Sequence, residues 1–243
     1  MTEGMITADP LPAARRLIVA LDFPAPETAR GFAARLEGLP VVYKIGLELI
    51  YAGGLGLARD LVAKGRKVFL DAKLLDIPNT VERAAASASE TGVSFLTVHG
   101  QDRKTLDAAM RGREGSGMKL LAITVLTSTD LADLREQGIA ASPEEIVLRR
   151  AQLAADAGFD GVVASPREAA AIREALGARL LIVTPGIRPS GASAADQARI
   201  STPGDAIRAG ADYLVVGRPI TAAADPLAAA KAIADEIQGA SVF

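Results

Sequence analysis

The sequence predicts a single (β/α)8 barrel, an α/β fold of the TIM-barrel type, and three observations carry that expectation. Short apolar runs alternate with amphipathic, Ala-rich stretches eight times from Leu17 onward. The apolar runs show no polar alternation, which marks strands buried on both faces, as in a parallel sheet. Charged and polar residues gather just after these runs, where barrels of this kind carry their chemistry. A chain of 243 residues also suits a fold whose usual length is about 250 residues. An open doubly wound sheet is the alternative, but no Gly-x-Gly-x-x-Gly follows the first strand.

The predicted strands are Leu17–Leu21, Val41–Ile45, Lys67–Leu70, Phe95–Val98, Leu120–Val125, Gly161–Ala164, Leu180–Val183 and Tyr213–Val216. The predicted helices between and after them are Glu27–Leu36, Leu47–Ala63, Pro78–Thr91, Lys104–Arg111, Pro143–Ala157, Arg167–Leu176, Pro203–Ala209 and Leu227–Ile237. Ser142 before Pro143 and Glu145, Ser165 before Pro166, and Asp225 before Pro226 supply N-cap signals. Gly65, Gly92, Gly158 and Gly210 each follow a helical stretch, where a left-handed cap is wanted. Residues 1–15 are expected to be a disordered N-terminal extension, and residues 16–243 the catalytic barrel.

Composition narrows the function classes. A formal net charge of −2 supplies no basic footprint for nucleic acid, so an anionic substrate needs local positive groups. The absence of cysteine rules out disulfides and thiolate metal sites. The N-terminal stretch lacks the apolar core of a signal peptide, and apolar runs such as Leu180–Val183 are too short to span a bilayer. A cytoplasmic location is the expectation. One histidine and scattered carboxylates make no compact metal-ligand set.

The strand ends hold the candidate site. Asp22 follows the first strand, Lys44 lies in the second, and Asp71 and Lys73 follow the third. His99 follows the fourth, Thr127 and Ser128 the fifth, Gly186 and Arg188 the seventh, and Gly217 and Arg218 the eighth. The period of two in an extended chain puts Asp71 and Lys73 on the same side, with Asp76 in the turn to the helix that Pro78 opens. Two carboxylates and an ammonium converging at a barrel mouth are costly without a purpose. The simpler alternative is that Asp76 caps that helix and Asp71–Lys73 is an ordinary ion pair. Gly217 and Arg218, with Thr184-Pro185-Gly186-Ile187-Arg188-Pro189 and Gln197 further along, read as a phosphate grip. His99 has no nucleophile partner and reads equally well as a packed, hydrogen-bonded strand-end residue.

Together these residues resemble the orotidine 5′-phosphate decarboxylase family in its bacterial form. The resemblance runs from about Leu17 to the last helix, and its most specific part is Asp71-x-Lys73-x-x-Asp76-Ile77-Pro78-Asn79-Thr80. Ala20-Leu21-Asp22, Tyr43-Lys44-Ile45-Gly46, Thr97-Val98-His99, Leu126-Thr127-Ser128 and Val216-Gly217-Arg218-Pro219 support it. The resemblance implies a cofactor-free decarboxylation of orotidine 5′-monophosphate to uridine 5′-monophosphate. It implies that Asp22 and Lys44 hold the ribose, with Lys44 also a catalytic member of the charge network, and that Lys73, flanked by Asp71 and Asp76, donates the proton. Thr127 and Ser128 would lie at the pyrimidine, Arg188, Gln197, Gly217 and Arg218 at the phosphate, and Pro185 would also be a substrate-binding residue. It further implies a homodimer in which Asp76, Ile77 and Thr80 reach the neighbouring active site. Two other readings stay open on the residues alone: a Mg-dependent sugar-phosphate aldolase or decarboxylase of the same barrel group, and a non-catalytic phosphate-ligand sensor.

Overall fold

The computed structural model describes residues 12–189 and 201–240. Eight parallel strands close into a barrel in sequence order. They are β1 (Leu17–Ala20), β2 (Val42–Ile45), β3 (Lys67–Leu74), β4 (Phe95–His99), β5 (Lys119–Ile123), β6 (Gly161–Val163), β7 (Leu181–Thr184) and β8 (Tyr213–Val216). Closure is made by β8 returning to β1, where Ile18 stands opposite Val215. The expected (β/α)8 barrel is the fold of the protein.

Alternation along each strand divides the apolar residues into two sets. Ile18, Val42, Phe69, Phe95, Leu121, Val183 and Tyr213 fill the barrel interior. Their neighbours Leu17, Val19, Tyr43, Leu96, Leu120 and Leu214 face outward into the larger core beneath the helices. Phe95 packs edge-on against Phe69 at 6.0 Å and against Tyr213 at 5.4 Å, the geometry that aromatic quadrupoles favour. These rings plug the barrel below its C-terminal rim, where the cavity-lining strand ends lie.

Most elements lie where the sequence puts them. The helix Pro143–Ala157 has the expected bounds, with Ser142 and Glu145 forming a reciprocal capping box and Gly158 closing it in the left-handed conformation. Three departures have identifiable causes. First, β3 runs on through the charged residues to Leu74, with a register irregularity against β4 between Leu70 and Leu74. Second, the expected continuous helix Leu47–Ala63 is broken. A π-type segment, Ile50–Gly54, separates Leu47–Leu49 from Leu55–Ala63, and Gly53 inside it has φ 95°. A side chain on Gly54 would come within 2.5 Å of the Leu49 carbonyl, so this close turn depends on glycine. Third, Leu131–Glu136 forms a short helix capped reciprocally by Asp130 and Asp133, and Arg218–Thr221 forms another. At the N-terminus, Ala13–Arg16 is already a 3-10 turn, with Arg16 donating to the carbonyls of Ala211 and Asp212. Among the described residues, no helix is long and apolar enough to cross a membrane.

The opposite end of the barrel is held by a repeated device. The segments Ala157-Gly158-Phe159-Asp160 and Ala209-Gly210-Ala211-Asp212 lead into β6 and β8. In each, the aspartate accepts from a backbone N–H near the start of the preceding strand: Leu120 for Asp160 at 2.9 Å, and Ile182 for Asp212 at 2.8 Å. An arginine pairs with each carboxylate, Arg113 with Asp160 and Arg173 with Asp212. Each carboxylate therefore bridges a helix-side cation and a strand-end donor. Because this device lies far from the rim, Asp212→Asn is expected to lower stability by about 1–2 kcal/mol with kcat unchanged. The urea midpoint, at constant denaturant slope, checks the first part and steady-state kinetics the second.

Candidate active site

Three adjacent strands bring three polar side chains to the rim by the same parity. Lys44 stands two residues beyond inward-facing Val42, Asp71 two beyond Phe69, and Thr97 two beyond Phe95. All three are buried. Lys73 occupies the next position on β3, and its backbone is unusual: φ is 49°, the one positive value at a non-glycine residue among those described. A left-handed conformation costs a residue with a Cβ about 1–2 kcal/mol. It coincides with the β3 irregularity and turns the lysine back toward Asp71.

The result is an alternating row of charges. Lys73 Nζ lies 2.7 Å from Asp71 Oδ2, Lys44 Nζ lies 3.7 Å from the same oxygen, and Lys44 Nζ lies 3.2 Å from Asp22 Oδ1. The Asp71 side chain is only 13 % exposed and that of Asp22 60 %. Thr97 Oγ1 is 2.9 Å from Asp71 Oδ1 and accepts from the Lys73 backbone N–H, also at 2.9 Å. Burial pushes the Asp71 carboxyl up, but Lys44, Lys73 and the hydrogen bonds from Lys73 and Thr97 outweigh it. Its pKa is held below the usual carboxylate range. The His99 pKa is lowered, first by burial and then by the nearby charges of Arg150 and Lys73, against the pull of Asp71.

Above this row lies a cavity of about 180 Å³ lined by Lys44, Phe69, Asp71, Lys73, Ile123, Val125, Leu126, Thr127, Val163, Pro185 and Val215. One wall is charged and the others are apolar, the combination that binds a flat ring and directs polar groups at one edge. Ligand pockets for whole drug-sized molecules run to roughly 300–1,000 Å³, so this space suits one ring, with any attached groups lying outward along the rim.

Of the residues singled out in the sequence, Asp22, Lys44, Asp71 and Lys73 form the charged row. Thr127 and Pro185 line the cavity with Lys44, Asp71 and Lys73, while Ser128 is exposed beside Thr127. Gly217 borders Asp22, since a side chain there would stand 3.7 Å from Asp22 Oδ2. Arg188 is half-buried, with its backbone N–H donating to the Ser201 carbonyl at 3.0 Å, and Arg218 is exposed. Gln197 lies outside the described residues. Asp76 does not join the cluster of its own chain: it is exposed and accepts from the Ile77 N–H at 2.6 Å. Ile77 is 66 % exposed, and Thr80 is exposed on the first turn of the helix Pro78–Glu90. The apolar wall of Phe69, Ile123, Val163 and Val215, and the bridging hydroxyl of Thr97, extend the site beyond the residues that the sequence marks. Inward parity on each strand could have found them, because they continue the series that contains Lys44 and Asp71.

A closed parallel barrel whose strand ends supply converging charges to a rim cavity has the layout of a barrel enzyme. A family model described as "Orotidine 5′-phosphate decarboxylase / HUMPS family" matches residues 15–233, and the chain belongs to that family. It is 54% identical over 233 residues to the Orotidine 5′-phosphate decarboxylase of Rhodopseudomonas palustris (strain BisA53), covering 96% of this chain and 99% of that protein. It is also 54% identical over 222 residues to the protein of the same name from Methylobacterium radiotolerans, covering 91% of this chain and 96% of the relative. Among solved structures, that of Orotidine 5′-phosphate decarboxylase from Lactobacillus acidophilus superposes with a TM-score of 0.82 at 39% identity. That match covers 92% of this chain and 99% of the other.

The direction of the Asp71 shift sets a pH dependence. Its carboxyl titrates lower in the folded chain than in the unfolded one, so its contribution to stability is complete above the ordinary carboxylate value. That contribution is lost as pH falls through the lowered folded value. Denaturant titrations from neutral to acid pH are expected to show this loss in the wild type, and a shallower acid dependence in Asp71→Asn.

Proposed function

We propose that this chain converts orotidine 5′-monophosphate to uridine 5′-monophosphate and CO2 in pyrimidine synthesis, without a cofactor, with Lys73 as the proton donor. The observation that carries the reading is the 2.7 Å Lys73–Asp71 pair on the charged wall of a cavity sized for one ring. Family membership and the names of the relatives support the same substrate.

The chemistry requires such a wall. Breaking the bond between C6 and the carboxylate leaves its electron pair on C6, with no adjacent carbonyl to delocalise it. An ammonium beside C6 favours that pair and then protonates it, so CO2 is replaced by H and Lys73 regains its proton from solvent. Fixed charges already in place need no reorganisation during the reaction. Asp71 would also stand close to the departing carboxylate. At about 4 Å and an effective dielectric of 20, that repulsion is worth roughly 4 kcal/mol. Enzymatic barrier reductions run to roughly 8–23 kcal/mol, so repulsion is a minor share beside carbanion stabilisation and remote binding energy.

The remaining roles follow the layout of the rim. Asp22 and Lys44 would take the ribose hydroxyls. Thr127, Ser128 and Pro185 would contact the base, and Arg188, Gln197, Gly217 and Arg218 would hold the phosphate. The pairing of Thr184 with Leu214 keeps the loops after β7 and β8 side by side, which supports a shared phosphate grip. The reading includes a homodimer. Leu47 and Tyr51 follow β2 and are exposed, Tyr51 by 88 %. Leu75 and Ile77 follow the adjacent β3 and are exposed as well. Apolar groups left on one side of the rim support an interface there, with Asp76, Ile77 and Thr80 turned toward the partner's site.

The direct assay mixes the protein with orotidine 5′-monophosphate and EDTA, follows the pyrimidine absorbance and traps CO2. Stoichiometric CO2 and uridine 5′-monophosphate are expected. Silence followed by Mg-dependent turnover of a keto-sugar phosphate would replace this reading with the aldolase-like one. Lys73→Ala is expected to keep the fold and retain less than about a tenth of wild-type turnover, a loss of at least about 1.4 kcal/mol in transition-state stabilisation. Arg218→Ala should chiefly raise KM, and an unchanged KM would remove it from the phosphate site. Tyr51→Asp is expected to sediment as a monomer with impaired turnover, whereas a fully active monomer would exclude a shared site.

A further inference from the structure

We infer that Thr97 is a positioning residue for the reaction, its hydroxyl holding the Lys73 backbone and the Asp71 carboxylate in one fixed relation. The inference rests on the proposed role of Lys73 as proton donor. Thr97 lies on β4, is completely buried, and does not line the cavity, so it acts on substrate only through its neighbours.

The hydrogen-bond directions are forced by chemistry. The Lys73 N–H is a donor and reaches Thr97 Oγ1 at 2.9 Å, using one hydroxyl lone pair. A carboxylate only accepts, so the hydroxyl proton is committed to Asp71 Oδ1, 2.9 Å away. Asp71 Oδ2 is then left for the ammonium of Lys73 at 2.7 Å. The hydroxyl thus closes a ring that runs through the Lys73 main chain, its own side chain and Asp71. Lys73 is also the position at which the backbone takes a left-handed turn and the β3–β4 register becomes irregular. Its amide is not left unpaired by that irregularity, because a side chain from the neighbouring strand takes the place of a ladder acceptor. The Lys73 backbone cannot turn without breaking its hydrogen bond to Thr97, and the Asp71 rotamer cannot change without breaking a buried one.

The expected consequences separate positioning from packing. Thr97→Val keeps the shape and removes both hydrogen bonds. Thr97→Ser keeps the hydroxyl and removes a methyl group. The valine variant is expected to lower kcat by about 10- to 100-fold, the loss typical of a displaced catalytic group, with KM within about threefold and uridine 5′-monophosphate binding retained. The serine variant should keep at least half of wild-type kcat. A pH profile adds a second readout. Asp71 is faced by Lys44 from β2, Lys73 on its own strand, Thr97 and His99 on β4, and Asp22 through Lys44. Of these, Thr97 supplies a hydrogen bond that lowers the Asp71 pKa, so in the valine variant the acid limb of kcat should move to higher pH.

The set to measure is wild type, Thr97→Val, Thr97→Ser and Lys73→Ala, each with a thermal melt and product binding. A slow valine variant beside an active serine variant supports the inference. Wild-type kcat in the valine variant, or equal impairment of folded valine and serine variants, overturns it. If the valine variant does not fold, the serine variant decides: retained kcat with an unmoved acid limb supports the hydroxyl, and a folded but slow serine variant overturns it. An active Lys73→Ala instead removes the proton-donor reading itself, whatever the Thr97 variants do.

Discussion

A carboxylate at the mouth of an apolar barrel is an expensive thing to keep ionised. Asp71, with its side chain only 13 % exposed, remains so because two ammoniums and a hydroxyl converge on it. Each of those groups comes from a different place in the chain: Lys44 from β2, Lys73 from the irregular end of β3, and Thr97 from β4. Removing the barrel closure, the β3 irregularity or the parity of any of these strands would leave a buried charge without its partners. The site therefore depends on the whole sheet rather than on a local motif, and the strained backbone at Lys73 persists because the surrounding contacts over-determine it.

The two ends of the barrel divide the work. At the floor, Asp160 and Asp212 bridge strand-end amides to Arg113 and Arg173, and the Phe69–Phe95–Tyr213 rings close the interior. Of these groups only Phe69 borders the cavity, as part of its apolar wall. At the rim, charge, positive φ and exposed apolar groups are tolerated because the floor and the outer core hold the fold. This separation lets the rim carry groups arranged for chemistry at a local cost in stability.

Much of this was readable in the residues. Apolar runs without alternation marked the strands, and the helix Pro143–Ala157 announced both its ends through Ser142, Glu145 and Gly158. The Asp71-x-Lys73 spacing pointed to a charged pair. The readings that fell short were of a consistent kind. Residue type predicts that β3 ends at Leu70, because charged residues do not look like strand interior, yet Asp71 is balanced by Lys73 on its own strand and by Lys44 and Thr97 from the neighbouring strands. Periodicity predicts an unbroken helix after β2 because it does not register the backbone clash that Gly54 avoids. Thr97 carries no signal beyond its motif, since a threonine in a buried strand has no sequence signature of the two groups it joins.

Local periodicity and capping chemistry were enough to specify the barrel and its order, because each strand and helix signal involves residues close along the chain. The same signals placed the charged residues at the correct end. What the linear text could not supply was the pairing: Lys44 shared between Asp22 and Asp71, Thr97 bridging Asp71 to the Lys73 amide, and Asp76 exposed outside the cluster of its own chain. Those outcomes depend on strand register, on a backbone irregularity and on contacts between residues some twenty or more positions apart. They exist only once the sheet has closed and brought those strands together.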